Sequence, residues 1–197
     1  MAHKIEDNTG NCFGMKVDSL NRAYVNAVDQ TQPDFYVGQG HSYNINTSTI
    51  TLTDGTESAL LYMLNNEDED LIIPSFIYLV GNSTGGTSTE DIEVKIYKNP
   101  TGGTLISGGT DFVPVNRDFG SANTLGATVK KGAQGSTITG GTVAIDSLFS
   151  GSGRQIVAVE TILPKGASVA ISVTPRSTNS SMNVQIAIAA YLNKFNL

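Results

Sequence analysis

Two histidines, His3 and His41, one cysteine, Cys12, and a run of four carboxylates, Glu67, Asp68, Glu69 and Asp70, are the first places to look for chemistry in this chain. A histidine acts as a general base only when a second group orients it, and neither histidine has such a neighbour in sequence. A lone cysteine excludes an intramolecular disulfide framework and any cysteine-based zinc site. Cys12 also lacks an adjacent base to activate it as a nucleophile. The four carboxylates invite a calcium reading. Calcium takes six to eight oxygens from a loop that alternates Asp or Asn with Gly, and that alternation is missing here. The better reading is a solvated hairpin end whose charges oppose edge pairing of the apolar runs beside it. The remaining acids Asp91, Glu93, Asp111, Asp118, Asp146 and Glu160 form no pair of the kind that glycoside hydrolysis requires. HExxH does not occur. No cofactor and no metal site is expected.

The glycines carry a second pattern. Thr-Gly-Gly-Thr stands at Thr84–Thr87, Thr101–Thr104 and Thr139–Thr142, with a close variant at Ser107–Thr110. A phosphate-binding loop would need a strand before it, a helix after it and usually a lysine. These sites lack that combination, so the motif is assigned to tight hairpin turns, where paired glycines supply positive φ.

Composition narrows the classes further. The 197 residues suit one domain with an extension, and the charged fraction is only 15%. With 21 glycines and no long amphipathic repeat, the profile is all-β. The net charge of −6 and the scatter of the 12 basic residues argue against a nucleic-acid partner. No apolar run reaches a membrane span and the first residues lack a signal-type apolar core, so a soluble protein with no membrane partner is expected.

The elements that must position these residues are strands. From Glu57 to Gly81 two apolar runs flank the acidic segment, which predicts a strand, an acidic turn and a second strand. Both runs are apolar on both faces. A half-exposed antiparallel strand should alternate, so two covers are required. One cover is the core. The other is the N-terminal segment, a neighbouring subunit or a docking partner, with Leu61, Met63, Phe76 and Tyr78 as the candidate subunit interface. Residues 1–33 carry Ile5, Phe13, Met15, Val17, Leu20, Tyr24, Val25 and Val28 without sustained period. This predicts an extended arm that docks on something else; the alternative is an ordinary N-terminal strand paired within its own domain.

Residues 34–197 then form the domain proper. Strands are expected at Phe35–Val37, His41–Ile45, Thr49–Leu52, Asp91–Tyr97, Phe112–Val115, Leu125–Lys130, Thr142–Leu148 and Arg154–Leu163. Two clearly alternating strands, over Ala167–Thr174 and Met182–Leu192, close the chain. About ten strands at this spacing predict an antiparallel β-sandwich, with a jelly roll preferred over other Greek-key sandwiches.

The chain also resembles a family in its ordered segments. KVDSLNRAYVNAV, SALLYMLNNEDEDLIIPSFIYLVG, VKIYKNPTGGTLISGG, VNRDFGSAN and ILPKGASVAISVTP are together similar to virion structural proteins of tailed bacteriophages, nearest the capsid decoration or auxiliary (cement or head-fibre) type. The resemblance spans about residues 15 to 195. It implies a β-sandwich on an assembled shell, made in the host cytoplasm and located in the virion, with no enzymatic role. It further implies the major capsid protein or other virion proteins as partners, and a homo-oligomer of trimer type. The main competitor is a fibre module that binds a host-surface receptor. Glycan sites favour exposed aromatics, often Trp, and this chain has no Trp.

Overall fold

The computed structural model describes residues 4–6, 12–14, 32–53, 55–82, 91–150, 153–176 and 182–193. The chain divides into two compact units, Met1–Thr31 and Gln32–Leu197. In the first, β1 (Lys4–Glu6) and β2 (Cys12–Gly14) form an antiparallel hairpin in which Ile5 is opposite Phe13. The segment expected to be a plain extended arm thus has a local pairing of its own. The other residues assigned to it, Met15, Val17, Leu20, Tyr24, Val25 and Val28, lie outside the described residues.

The second unit is a two-sheet sandwich. Its elements run α1 (Gln32–Gly38), β3 (Ser42–Asn46), β4 (Ile50–Leu52), β5 (Ser58–Asn65), β6 (Asp70–Asn82), β7 (Asp91–Lys98), α2 (Thr104–Gly108), β8 (Thr110–Asp111), β9 (Val115–Asn116), β10 (Ala127–Lys131), β11 (Thr142–Ser150), β12 (Gly153–Val157), β13 (Thr161–Leu163), β14 (Ser168–Pro175) and β15 (Met182–Asn193). One sheet is ordered β11-β7-β14-β5-β10-β8 and the other β12-β6-β15-β3-β9, with β13 also on β6 and β4 also on β15. Counting β3 with β4 and β12 with β13 as single interrupted strands leaves eight long strands. Their order is 1-8-3-6 in one sheet and 2-7-4-5 in the other, all pairs antiparallel. That double Greek key is the jelly roll, and it decides between the sandwiches left open by the sequence. Residues 99–141, between the fourth and fifth strands, are an insertion that adds β8 and β10 to one sheet and β9 to the other.

The expected hairpin of the two apolar runs does not form. β5 pairs with β10 and β14, whereas β6 pairs with β12, β13 and β15 in the opposite sheet, so the acidic segment crosses the sandwich. The two-faced patterns have local causes. On β5 the register passes from Leu61↔Ile171 to Ala59↔Ser172, which makes Leu60 an extra residue and sends both Leu60 and Leu61 into the core. On β6 the pairs Tyr191↔Ile72 and Ala189↔Ser75 leave Ile73 and Pro74 against one residue, Ala190. A proline fits such a bulge because no ladder donor is needed there.

The second covers come from the chain itself. Ala59 and Tyr62 on the outer face of β5 pack with Leu105 of α2 and Ala170, with Leu64, Ile106 and Ile138 around them. Ile72 on the outer face of β6 packs with Tyr36 and Tyr191, whose rings stack at 4.7 Å. This contact also explains why Phe35–Val37, expected as a strand, is helix α1. Pro33 is tolerated in a first helical turn, and the helix delivers Tyr36 to its stacking partner, with a hydrogen bond from Tyr36 Oη to Asn193 Oδ1 at 2.8 Å. Of the expected strand at Phe112–Val115 only Val115 lies in a strand, β9; Phe112–Pro114 link it to β8 in the other sheet.

Candidate interaction surface

The structure distributes the candidate chemical residues among supporting roles. His41 lines a cavity of about 320 Å³ together with Tyr43 and Glu67, a meeting that sequence spacing does not show. Glu67 Oε1 accepts the Gly126 amide at 2.5 Å, and Tyr43 Oη lies 3.3 Å from the Thr124 carbonyl that it donates to. Burial, with the nearby Glu67 charge, pushes the Tyr43 phenol above its ordinary value. The group fastens the loop at 121–126 to the acidic segment. Asp68 in turn is hydrogen-bonded and ion-paired to Lys165, which holds its carboxyl below the usual range. The acidic segment therefore spends two of its carboxylates on the chain, and no three His, Cys, Asp or Glu residues among the described ones converge as a metal site requires. His3 lies outside the described residues and Cys12 sits in the N-terminal hairpin. No helix of the described residues is long and apolar enough to cross a membrane.

A row of polar groups crosses the outer face of the six-stranded sheet. Glu57 Oε1 accepts from Ser172 Oγ at 2.6 Å and from Tyr97 Oη at 2.7 Å, and Lys95 Nζ lies 3.7 Å from its other oxygen. Glu93 joins the row through Lys95 at 3.4 Å and through Arg176. Partial burial alone would raise the Glu57 carboxyl, but the bonds from Ser172 and Tyr97 and the Lys95 charge outweigh it and hold it low. Each acid here has a cation or hydroxyl partner, which is the arrangement of a cross-strand ladder.

The Thr-Gly-Gly-Thr copies have a different role from the separate turns expected of them. Thr101–Thr104 and Thr139–Thr142 face each other across the base of the insertion. The amides of Thr101 and Gly102 both donate to the Thr139 carbonyl, and the Thr139 amide donates to the Gly102 carbonyl at 2.9 Å. Thr104 and Thr137 add a reciprocal pair, each backbone amide donating to the other's hydroxyl at 3.1 and 2.8 Å. Together they clamp the neck of the segment that covers β5. The copy at Thr84–Thr87 lies outside the described residues.

Of the expected interface set, Leu61, Met63 and Phe76 are at most 1% exposed and sit in the core between the sheets of a single chain. The bulges that turn them inward leave them nothing to offer a second copy. Tyr78 is opposite Ile186 in register, and its side chain lies outside the described residues.

The exposed apolar side chains are elsewhere, on the two flanks of the sandwich. At one flank the chain passes from β8 to β9 through Phe112–Pro114 and closes the gap between the sheets. It leaves Val113 75%, Val115 58% and Phe119 90% exposed. Phe119 stands on a turn fastened by the Ser121 amide to the Asp118 carbonyl and by the Asp118 amide to Asn116 Oδ1, while Asn116 Nδ2 donates to the Gly40 carbonyl. The opposite flank, between edge strand β11 and the β12–β13 edge, is open. There Leu148, Ile156 and Ile162 are about half exposed. Between the sheet edges lies a cavity of about 570 Å³ lined by Ala144, Ile145, Val159, Ile162, Leu163 and Ala167, among others. The nine-residue β11 is an edge strand with a bulge at Ala144 and a single charge, Asp146. The outer face of β3, β4 and β15 carries Asn44, Asn46, Thr51, Asn183 and Gln185 and no charged side chain. Sequence reasoning missed these flanks because a lone Phe in a polar loop carries no periodic signal.

No family model matches the sequence. No curated protein sequence matches it either. Among solved structures, a chain of a marine algae virus of the order Picornavirales is similar at a TM-score of 0.27 and 9% identity, over 98% of this chain and 85% of that one. A chain of infectious bursal disease virus, Gx strain, is similar at 0.21 and 11% identity, over 77% of this chain and 40% of that one. A chain of the empty head of Turnip Yellow Mosaic Virus follows at 0.19 and 8% identity, over 93% of each. Values this low do not bear on function.

Proposed function

We propose that the protein is a non-enzymatic structural component of a virion that decorates or stabilises the capsid of a tailed bacteriophage through protein–protein contacts. The observation that carries this reading is the distribution of apolar and uncharged surface. Large apolar side chains stand out on both flanks, and the outer face around β15 bears amides, hydroxyls and small residues in place of charges. Depletion of charge with exposed apolar anchors is the composition of an interface core. Glu57, Glu93, Glu67 and Asp68, by contrast, are engaged in ladders and loop ties. The order of segments that resembles phage virion proteins supports the same reading, and the partner it implies is the major capsid protein.

A cement protein works by adding buried area between neighbouring shell subunits. At roughly 25 cal/mol per Å² of apolar surface, less the cost of association, a contact of order 1,500 Å² repeated over a shell is a strong clamp. Particles lacking the protein are therefore expected to release their genome at a lower temperature than complete particles, with the difference restored on adding the protein back. If bare and complete particles melt together while adsorption to the host falls, receptor binding takes the place of cementing.

A further inference from the structure

The two flanks of the sandwich are chemically matched to each other. The closed flank carries an aromatic side chain, Phe119, that is 90% exposed, with Val113 and Val115 also exposed. The open flank carries a cavity of about 570 Å³ with a mainly apolar lining, large enough to admit that side chain. Both flanks carry charges of both signs: Arg117 and Asp118 precede Phe119, and Glu160 and Lys98 line the cavity. A single chain cannot bring these together, because β7, β14, β5 and β10 lie between β11 and β8.

We propose that a second copy of this chain is the occupant of the open flank, docking head to tail so that the Phe119 side chain of one copy enters the cavity of the next, with Arg117 facing Glu160. The pair then has one knob and one hole left over. Such a heterologous contact does not saturate at two; it closes into a ring if the rotation allows and extends otherwise. The turn that carries Phe119 is already fixed by the Asp118, Asn116 and Ser121 hydrogen bonds, so little ordering cost falls on binding. Covering the open flank also removes the long β11 edge from water, an edge that β8 and β9, at two residues each, do not present on the other side.

Sedimentation of the purified full chain across micromolar concentrations tests this without any particle. The parent chain is expected to form species larger than a dimer. Phe119→Ser, at a site 90% exposed and so tolerant for folding, is expected to weaken association roughly 30-fold or more, as loss of a central aromatic anchor does. Ala144→Arg, also at an exposed position, should block the mouth and have the same effect. The decisive sample is the mixture of the two variants. One keeps a hole and the other a knob, so together they should form a dimer and stop there. Arg117→Glu and Glu160→Arg should each weaken association, and the double exchange should recover much of it. A parent chain that stays monomeric at 100 μM, or oligomers that survive both Phe119→Ser and Ala144→Arg, would overturn the proposal. Either result would leave the shell reading to its own test on particles.

Discussion

The side-chain amide of Asn65 donates to the backbone carbonyl of Leu163 at 2.8 Å, joining the end of β5 to the edge strand of the opposite sheet. The same nitrogen reaches the Glu69 carbonyl at 2.9 Å, and the Asn65 oxygen accepts the Glu67 amide at 2.9 Å. Asn65 is fully buried, and its bond to Leu163 forms away from water, while the two to the acidic segment are partly buried. One residue thus holds the acidic crossing in shape and ties it to β13.

Asn65→Leu keeps the volume and removes every bond, leaving the buried Leu163 carbonyl without this donor. A loss of about 1–3 kcal/mol is expected, read as a lower urea midpoint at unchanged slope. An unchanged midpoint would mean that water replaces the side chain at no net cost.

The cover on β5 is tested at Leu105, which is fully buried between α2 and the sheet. Leu105→Ala should cost about 2–5 kcal/mol, the range for a large-to-small change in a packed site. A loss below 0.5 kcal/mol on this scale would show that α2 does not serve as the cover.

The neck of the insertion depends on Gly103, whose φ is +110°. A Cβ there would lie 2.3 Å from the Thr137 carbonyl oxygen, so Gly103→Ala meets both backbone strain and a clash with main chain that has nowhere to move. Limited proteolysis should then cut within residues 99–141 much faster than in the parent chain. Equal cutting rates would mean that the paired Thr-Gly-Gly-Thr segments do not hold the neck.

Glu57 gives the polar row a pH dependence. Its folded-state pKa lies below the unperturbed glutamate value of roughly 4.3, so its contribution to stability is fully present above that pH and is lost as pH falls through the folded value. The side chain is 42% exposed, so screening keeps the effect small. Melting temperatures of the parent chain and of Glu57→Gln should differ at pH 6 and converge toward pH 3. A constant difference across that range would remove Glu57 from the acid dependence.

The sequence by itself determined the all-β class and the half-buried strands. In β7, Ile92, Val94 and Ile96 are buried while Glu93 and Lys95 face out, and β15 keeps its alternation over most of its length. Period-two burial is a local property, so it is written in consecutive residues. What tertiary structure decided was which strand meets which, and from what side. β5 and β6 look like a hairpin because the segment between them is short and charged, yet each finds better partners far along the chain, Ser172 and Tyr191 among them. Bulges at Leu60 and Pro74 shift the inward face by one residue, and no window of sequence distinguishes that from two covered faces. The helical state of Phe35–Val37 depends on Tyr191, and the meeting of two Thr-Gly-Gly-Thr segments on a loop closing between them. The exposure of Phe119 was hidden for the same reason. A side chain is exposed only relative to what the rest of the chain has already covered, and that is settled by contacts between residues distant in sequence.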